Sequence, residues 1–284
     1  MRAADRRVVL GLHRSRHERR VLTAALDLGV TAIDTAFNYR GFTSHATLAG
    51  LGDDLLSRFT LSTKVGYIPG PDGTRHSLDP DDLRVALGQT VRDLGREPDV
   101  VLLHNPEASL GVGEQGRQRL AAACDVLADA ATVGTCAAWG ISTWDPRALA
   151  ALGVQLPSAP EVLMARSGLL VRHEVLAAAE FLAAEWGIVA EHRWGMSPFG
   201  GSLADPPWRT SDPRLFLASE TAGVTKAQAA FRVAFELPAV RAVAVGTDQP
   251  DHLRELVNAA GLAVDAELVG RYRDVLVARA AHAR

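Results

Sequence analysis

A chain of 284 residues that is 48% apolar and 22% charged has an ordinary globular composition and can bury a full core. Its net charge of −3, with arginines spread along the chain, gives no electrostatic reason to bind nucleic acid or an anionic membrane. No apolar run is long enough to span a bilayer, no leader pattern opens the chain, and Cys124 and Cys136 lack metal-ligand spacing, so a cytoplasmic protein without a metal site is expected.

Short apolar runs alternate with longer amphipathic stretches eight times. The first predicted strand covers residues 8–12, and the arginine knot from Arg14 to Arg20 reads as a solvated helix start. Further strands are expected at 32–34, 60–64, 100–104, 137–141, 162–165, 188–191 and 242–245. Nearly all are apolar throughout, the pattern of parallel strands covered on both faces. Between them, Asp79-Pro80-Asp81-Asp82 offers an N-cap, a proline in the first turn and acids at the positive end of a helix. Its face is Leu83, Leu87, Val91 and Leu94, and the next helix repeats the spacing with Leu120, Cys124, Leu127 and Ala131. Thr225 caps a helix, Asp248 or Gln249 precedes Pro250 at another, and a last helix closes the chain near 265–281. Eight such repeats predict an α/β fold, a (β/α)8 TIM barrel forming a single domain over 1–284, with a doubly wound sheet as the alternative. The segments 66–78, 105–116 and 193–220 are long loops after strands, which in a barrel lie on the C-terminal face where active sites are built.

Only two lysines, Lys64 and Lys226, stand in a chain that otherwise uses arginine for positive charge. Lys64 ends a strand, as do Asp34 and His104, and Tyr39 follows Asp34 in the adjoining loop. In a barrel these strand ends meet at one mouth. Each also has a plainer reading: Asp34 as a helix cap, Tyr39 as a packing residue, His104 as a satisfied core histidine.

The order of motifs resembles the aldo-keto reductase family nearly end to end. GVTAIDTAFNYRG is similar to G-x-x-x-x-DTA-x-x-Y-G with Arg40 inserted before Gly41, and LSTKVG carries the family lysine. LLHNP carries the histidine, GIST resembles GxSN, SPFGG resembles SPLGxG, and TKAQAAFRVAF resembles TxAQxALxW. The resemblance implies NAD(P)H-dependent reduction of an aldehyde or ketone. Tyr39 would be the general acid, Lys64 would bring its pKa down from the ordinary value of about 10, Asp34 would hold Lys64, and His104 would orient the substrate oxygen.

The resemblance also implies cofactor contacts from Ser142, Thr143 in place of the usual asparagine, Met164 in place of a glutamine, and Ser197. VGTDQPDHLRELV is similar to the family's phosphate- and adenosine-binding turn, giving Gly246, Thr247, Asp248, His252 and Glu255. NADPH is the expected cofactor, with NADH allowed because an acid at Asp248 would repel a 2′-phosphate. The family's N-terminal hairpin is expected to be reduced or absent, because the first strand comes so early. Phe37, Tyr67, Trp144, Trp194 and Phe199 would line the mouth, with Trp194 a candidate to stack on the nicotinamide, and Arg40, His45, Asn105, Glu107 and Arg166 as polar contacts. A polyol or sugar-like carbonyl compound, an intermediate of specialised metabolism or a small aldehyde would suit such walls; the oligomeric state is not legible. Two alternatives stay open: a nucleotide-binding protein without a redox role, and an isomerase or epimerase using Tyr39 and His104 as acid and base.

Overall fold

A computed structural model describes residues 6–71, 73–153, 156–218 and 222–282. Its strands are β1 (Arg7–Gly11), β2 (Ala32–Asp34), β3 (Thr60–Val65), β4 (Tyr67–Gly70), β5 (Gly73–His76), β6 (Val100–His104), β7 (Ala138–Thr143), β8 (Val162–Arg166), β9 (Arg193–Met196) and β10 (Ala242–Val245). All but β4 and β5 pair in parallel and close a barrel, in the order β1, β2, β3, β6, β7, β8, β9, β10 and back to β1. The first helices are α1 (Arg19–Asp27), α2 (Ser44–Ala49), α3 (Asp53–Leu56), α4 (Pro80–Leu94), α5 (Gly113–Thr132) and α6 (Arg147–Leu152). They are followed by α7 (His173–Glu185), α8 (Pro207–Thr210), α9 (Lys226–Val233), α10 (Pro250–Ala259) and α11 (Ala266–His282). None of the described helices is long and apolar enough to cross a membrane.

The barrel is plugged by side chains. Val9, Val100, Leu102, Val162, Met164, Trp194, Ala242 and Ala244 form one buried cluster inside it, so the interior is a floor for the mouth and not a channel. The helix starts follow the sequence. The Asp79 side chain accepts from the N–H groups of Asp81 and Asp82, and Thr225 forms a reciprocal capping box with Gln228. At α10 the capping residue is Gln249, whose N–H donates to Thr247 Oγ1 at 3.0 Å; Asp248 is occupied elsewhere.

Four expectations need correction. The seventh barrel strand is Arg193–Met196, not 188–191. Gly187 takes a left-handed φ of 63°, Ile188 N–H donates to the Ala183 carbonyl, and the Ile188 side chain is buried. The apolar run at 188 therefore belongs to the stop signal of α7. Segment 66–78 is not a plain loop but holds the antiparallel hairpin β4–β5. The helix predicted from the arginine knot begins only at Arg19, and Arg14 and His17 have positive φ in a loop over the barrel mouth. The segment 193–220 is likewise partly regular, carrying β9, α8 and a short turn of 3-10 helix at Pro213–Phe216. No hairpin precedes β1 among the described residues, and residues 1–5 lie outside them.

Candidate active site

At the C-terminal ends of the strands opens a cavity of about 600 Å³. Asp34 from β2, Lys64 from β3, His104 from β6 and Tyr39 from the turn after β2 all line it. The register explains the convergence: Asp34 pairs with Ser62 on β3, and Lys64 pairs with Leu102 on β6. Lys64 and Asp34 are almost wholly buried. Lys64 Nζ donates to Asp34 Oδ2 at 2.5 Å and to the Thr35 carbonyl at 2.8 Å, while Ser62 Oγ donates to the other Asp34 oxygen at 2.8 Å. The ammonium lies 5.2 Å from the centre of the Tyr39 ring. Tyr39 meets His104 edge to face at 6.1 Å between ring centres, and Tyr67 meets His104 in the same way at 4.9 Å.

Charge and burial compete here in opposite directions. Burial alone would strip the proton from Lys64, but Asp34 and Tyr39 together hold its pKa above the ordinary value. Burial pushes the Tyr39 phenol up; Lys64 pulls it down and Asp34 pushes it up again. The net direction is upward: Lys64 lowers the phenol as expected, but desolvation outweighs its pull. Tyr39 is thus held protonated. His104 is depressed well below the usual histidine value by burial and then by Lys64, His76 and His13, so its ring is neutral. His76 fixes this strand end, with one ring nitrogen 2.8 Å from the His104 carbonyl oxygen and the other 2.7 Å from Ser109 Oγ.

Of the proposed cofactor residues, Ser197, Gly246, Thr247 and Asp248 line the cavity. Ser142 and Thr143 are fully buried and are not among the lining residues; Ser142 Oγ is 4.0 Å from the Met196 sulfur. Met164 is part of the barrel plug, and His252 and Glu255 are exposed on α10. Trp194 is also in the plug, two residues below Met196 on the same strand face. The expected stacking role of Trp194 is therefore overturned, and Met196 is the β9 side chain at the mouth. Phe37 is buried against Phe42 and His45, and His45 bonds Thr63 Oγ1 at 2.7 Å, so neither of these two forms a wall. Tyr67, Trp144, Phe199 and Asn105 do. Arg40 points instead to the Ser15 carbonyl.

Sequence reasoning missed His13, Arg14 and Ser15, which enter the wall through the loop after β1, and Asn38 beside the tyrosine. The positive φ of Arg14 carries no sequence signal because the residue is not glycine.

The cavity runs from the four catalytic candidates to Gly246 and Thr247 at the start of α10. Its far end is bare backbone: Gly11 and Gly246 face each other so closely that a Cβ on Gly246 would lie 3.0 Å from the Gly11 carbonyl oxygen. The buried Asn38 Oδ1 has no partner. The acid at Asp248 is already engaged, accepting from Ser15 Oγ at 2.7 Å and from the Arg16 N–H at 3.2 Å. A cavity of this volume, with polar side chains at one end and bare backbone just before a helix at the other, fits a dinucleotide.

The profile of the aldo/keto reductase family matches residues 13–170. The chain belongs to that family. Membership makes it an oxidoreductase on a TIM barrel, in a family that works with NADP(H). Among solved structures, an aldo-keto reductase from Bacillus halodurans in its holo form is 18% identical, with a TM-score of 0.71 over 95% of this chain and 91% of that one. Another, from Klebsiella pneumoniae in complex with NADPH, is 17% identical, with a TM-score of 0.67 over 95% and 90%. No curated protein sequence matches the chain. At these identities the neighbours speak for the fold alone.

Proposed function

We propose that the chain reduces an aldehyde or ketone to an alcohol, with NADPH as hydride source and Tyr39 as proton donor. The observation that carries this reading is the buried Asp34–Lys64 pair lying against Tyr39 and His104 at one cavity. The hydride would come from the nicotinamide. Tyr39 would give its phenolic proton to the carbonyl oxygen, leaving a phenolate beside the Lys64 ammonium, which is reprotonated from solvent. Asp34 and the Thr35 carbonyl hold Lys64 at the required position through one hydrogen bond each, and neutral His104 would orient the substrate oxygen. Ser197 and the backbone at Gly246 and Thr247 would hold the dinucleotide. NADH use would follow if Asp248 disfavours a 2′-phosphate, although its carboxylate already serves the loop after β1.

Purified protein with NADPH and a panel of aldehydes, followed at the nicotinamide absorbance, tests the reading. Tyr39→Phe is expected to lower turnover by about 10²- to 10⁴-fold with NADPH binding retained; unchanged turnover would remove Tyr39 from the mechanism. A second reading, nucleotide binding without turnover, draws on Met164, whose thioether in the barrel plug cannot replace an amide contact. It predicts NADPH binding with no oxidation by any aldehyde.

A further inference from the structure

Arg166 ends β8, two residues beyond Met164 and four beyond Val162, both of which point into the barrel plug. The alternation of side chains along a strand puts Arg166 on that same face, above the plug, next to the wall residues of the cavity without being one of them. Its register partner on β9 is Met196, a wall residue of the cavity. The guanidinium carbon lies 5.1 Å from the centre of the Trp144 ring, and Trp144 is itself a wall residue that is 45% exposed.

Asp145 is the acid whose charge acts on this arginine, but it makes no direct bond to it. Nε is buried without a hydrogen-bond partner, and no ion pair ties the guanidinium to a carboxylate among the described residues. The acids of the neighbouring turns bond elsewhere, although Glu107 Oε2 is itself buried without a hydrogen-bond partner. Asp145 grips Arg147 Nε with both oxygens, at 2.8 and 3.1 Å, and also takes the Arg147 N–H. Glu107 Oε1 accepts from the N–H groups of Trp144 and Asp145 at 2.6 and 2.8 Å, which fixes the turn carrying Trp144. Burial weakens the hold of Arg166 on its own proton, Asp145 partly restores it, and Arg147 and Arg172 add positive charge nearby. A half-buried guanidinium held 5.1 Å from a tryptophan ring, with no ion pair of its own, is suited to receive an anion.

We propose that Arg166 and Trp144 form an anion-recognition corner of the substrate mouth, so that the preferred carbonyl substrate carries a carboxylate or phosphate group. This rests on the reductase reading above and names the substrate class for it. A structural role for the pair, packing alone, predicts no dependence on substrate charge.

The test compares kcat/KM for succinic semialdehyde against butanal, and for glycolaldehyde phosphate against glycolaldehyde, in the wild type, Arg166→Gln and Arg166→Lys. The wild type is expected to favour at least one charged member by ten- to a hundredfold, the span of a charge-assisted hydrogen bond. Which pair shows the preference separates carboxylate from phosphate. In Arg166→Gln the charged-to-neutral ratio is expected to fall tenfold or more, and Arg166→Lys to keep part of it. A wild-type ratio near one in both pairs, or an equal loss on charged and neutral members in Arg166→Gln, overturns the proposal. Should no aldehyde be turned over, the reductase reading fails, and calorimetric binding of the same four compounds decides this one. Tighter binding of a charged member that is lost in Arg166→Gln supports the corner; equal binding of both members overturns it.

Discussion

Lys64 survives in an arginine-rich chain because of the space around its nitrogen. The ammonium reaches Asp34, the Thr35 carbonyl and the Tyr39 ring at once from a position only 2% exposed. A guanidinium is planar and too wide for that pocket. Lys64→Arg is therefore expected to leave the enzyme as inactive as Lys64→Met, measured as kcat/KM on any accepted aldehyde. Lys64→Met also strands a buried carboxylate, which costs about 3–5 kcal/mol in urea unfolding. The double variant Lys64→Met with Asp34→Asn is expected to recover much of that loss, because the unpaired charge is gone. If the double variant is no more stable than the single, the pair is not the source of the effect. The neighbouring phenol has its own signature. With the Tyr39 pKa held above its usual value, the donor stays protonated across neutral pH. Reduction is thus expected to run flat from about pH 6 to 9 and to fall only on the more alkaline side. A decline between about pH 7 and 8 in kcat/KM would show that the pull of Lys64 on the phenol outweighs the effect of burial.

At the scale of elements, Gly140 shows how a motif residue can be structural. It opens the GIST sequence on β7 and pairs with Val162 on β8. A Cβ there would overlap the Val162 carbonyl oxygen, a backbone atom that cannot swing away. Gly140→Ala is expected to disrupt the β7–β8 ladder and lower the thermal midpoint by several degrees or prevent soluble expression; an unchanged midpoint would mean that the strands separate freely. The same scale explains what could be read from the chain and what could not. Asp34, Lys64 and His104 were legible because each interrupts an apolar strand at its end, a contrast that survives without knowledge of the fold. The β9 position was not, since Ile188 looks like a strand residue and acts as the hydrophobic stop of α7. That shift misplaced the aromatic wall onto Trp194 when Met196 occupies it. The β4–β5 hairpin left no apolar alternation to find, because β5 presents only Gly73, Thr74, Arg75 and His76. The contribution of the loop after β1 was hidden for another reason. Its place over the mouth depends on long-range bonds from Ser15 and Arg16 to Asp248, some 230 residues away in the chain.

Across the whole molecule those bonds continue into a buried polar chain that joins the first and last strands to the catalytic turn. Asp248 accepts from Ser15, the His17 N–H donates to Ser15 Oγ, and His17 Nε2 meets Ser44 Oγ, which meets Thr35 Oγ1 beside Asp34. His17, His45 and His104 are all buried on this side of the barrel, and all have pKa values lowered first by burial. His45 falls to about 4. The linkage follows from the sign of these shifts. Between the folded values and the unfolded value of about 6.5, the unfolded chain binds more protons, so stability rises with pH. The contribution is complete above about pH 6.5 and is lost as the pH falls toward 4, by about 3 kcal/mol for His45 alone. This window lies above the one in which ion-paired acids such as Asp212, lowered to about 2, begin to protonate. Urea unfolding at a series of pH values is therefore expected to show stability dropping between about pH 6.5 and 4.5, and His45→Gln to flatten part of that slope. The loss should appear first in the amide exchange of β2, α2 and the loop after β1, because the three rings sit there and at the adjoining end of β6. A stability curve flat down to about pH 4.5, or a slope untouched in His45→Gln, would mean that these rings are not neutral in the fold, and the assignment of His104 as an uncharged orienting group would fall with them.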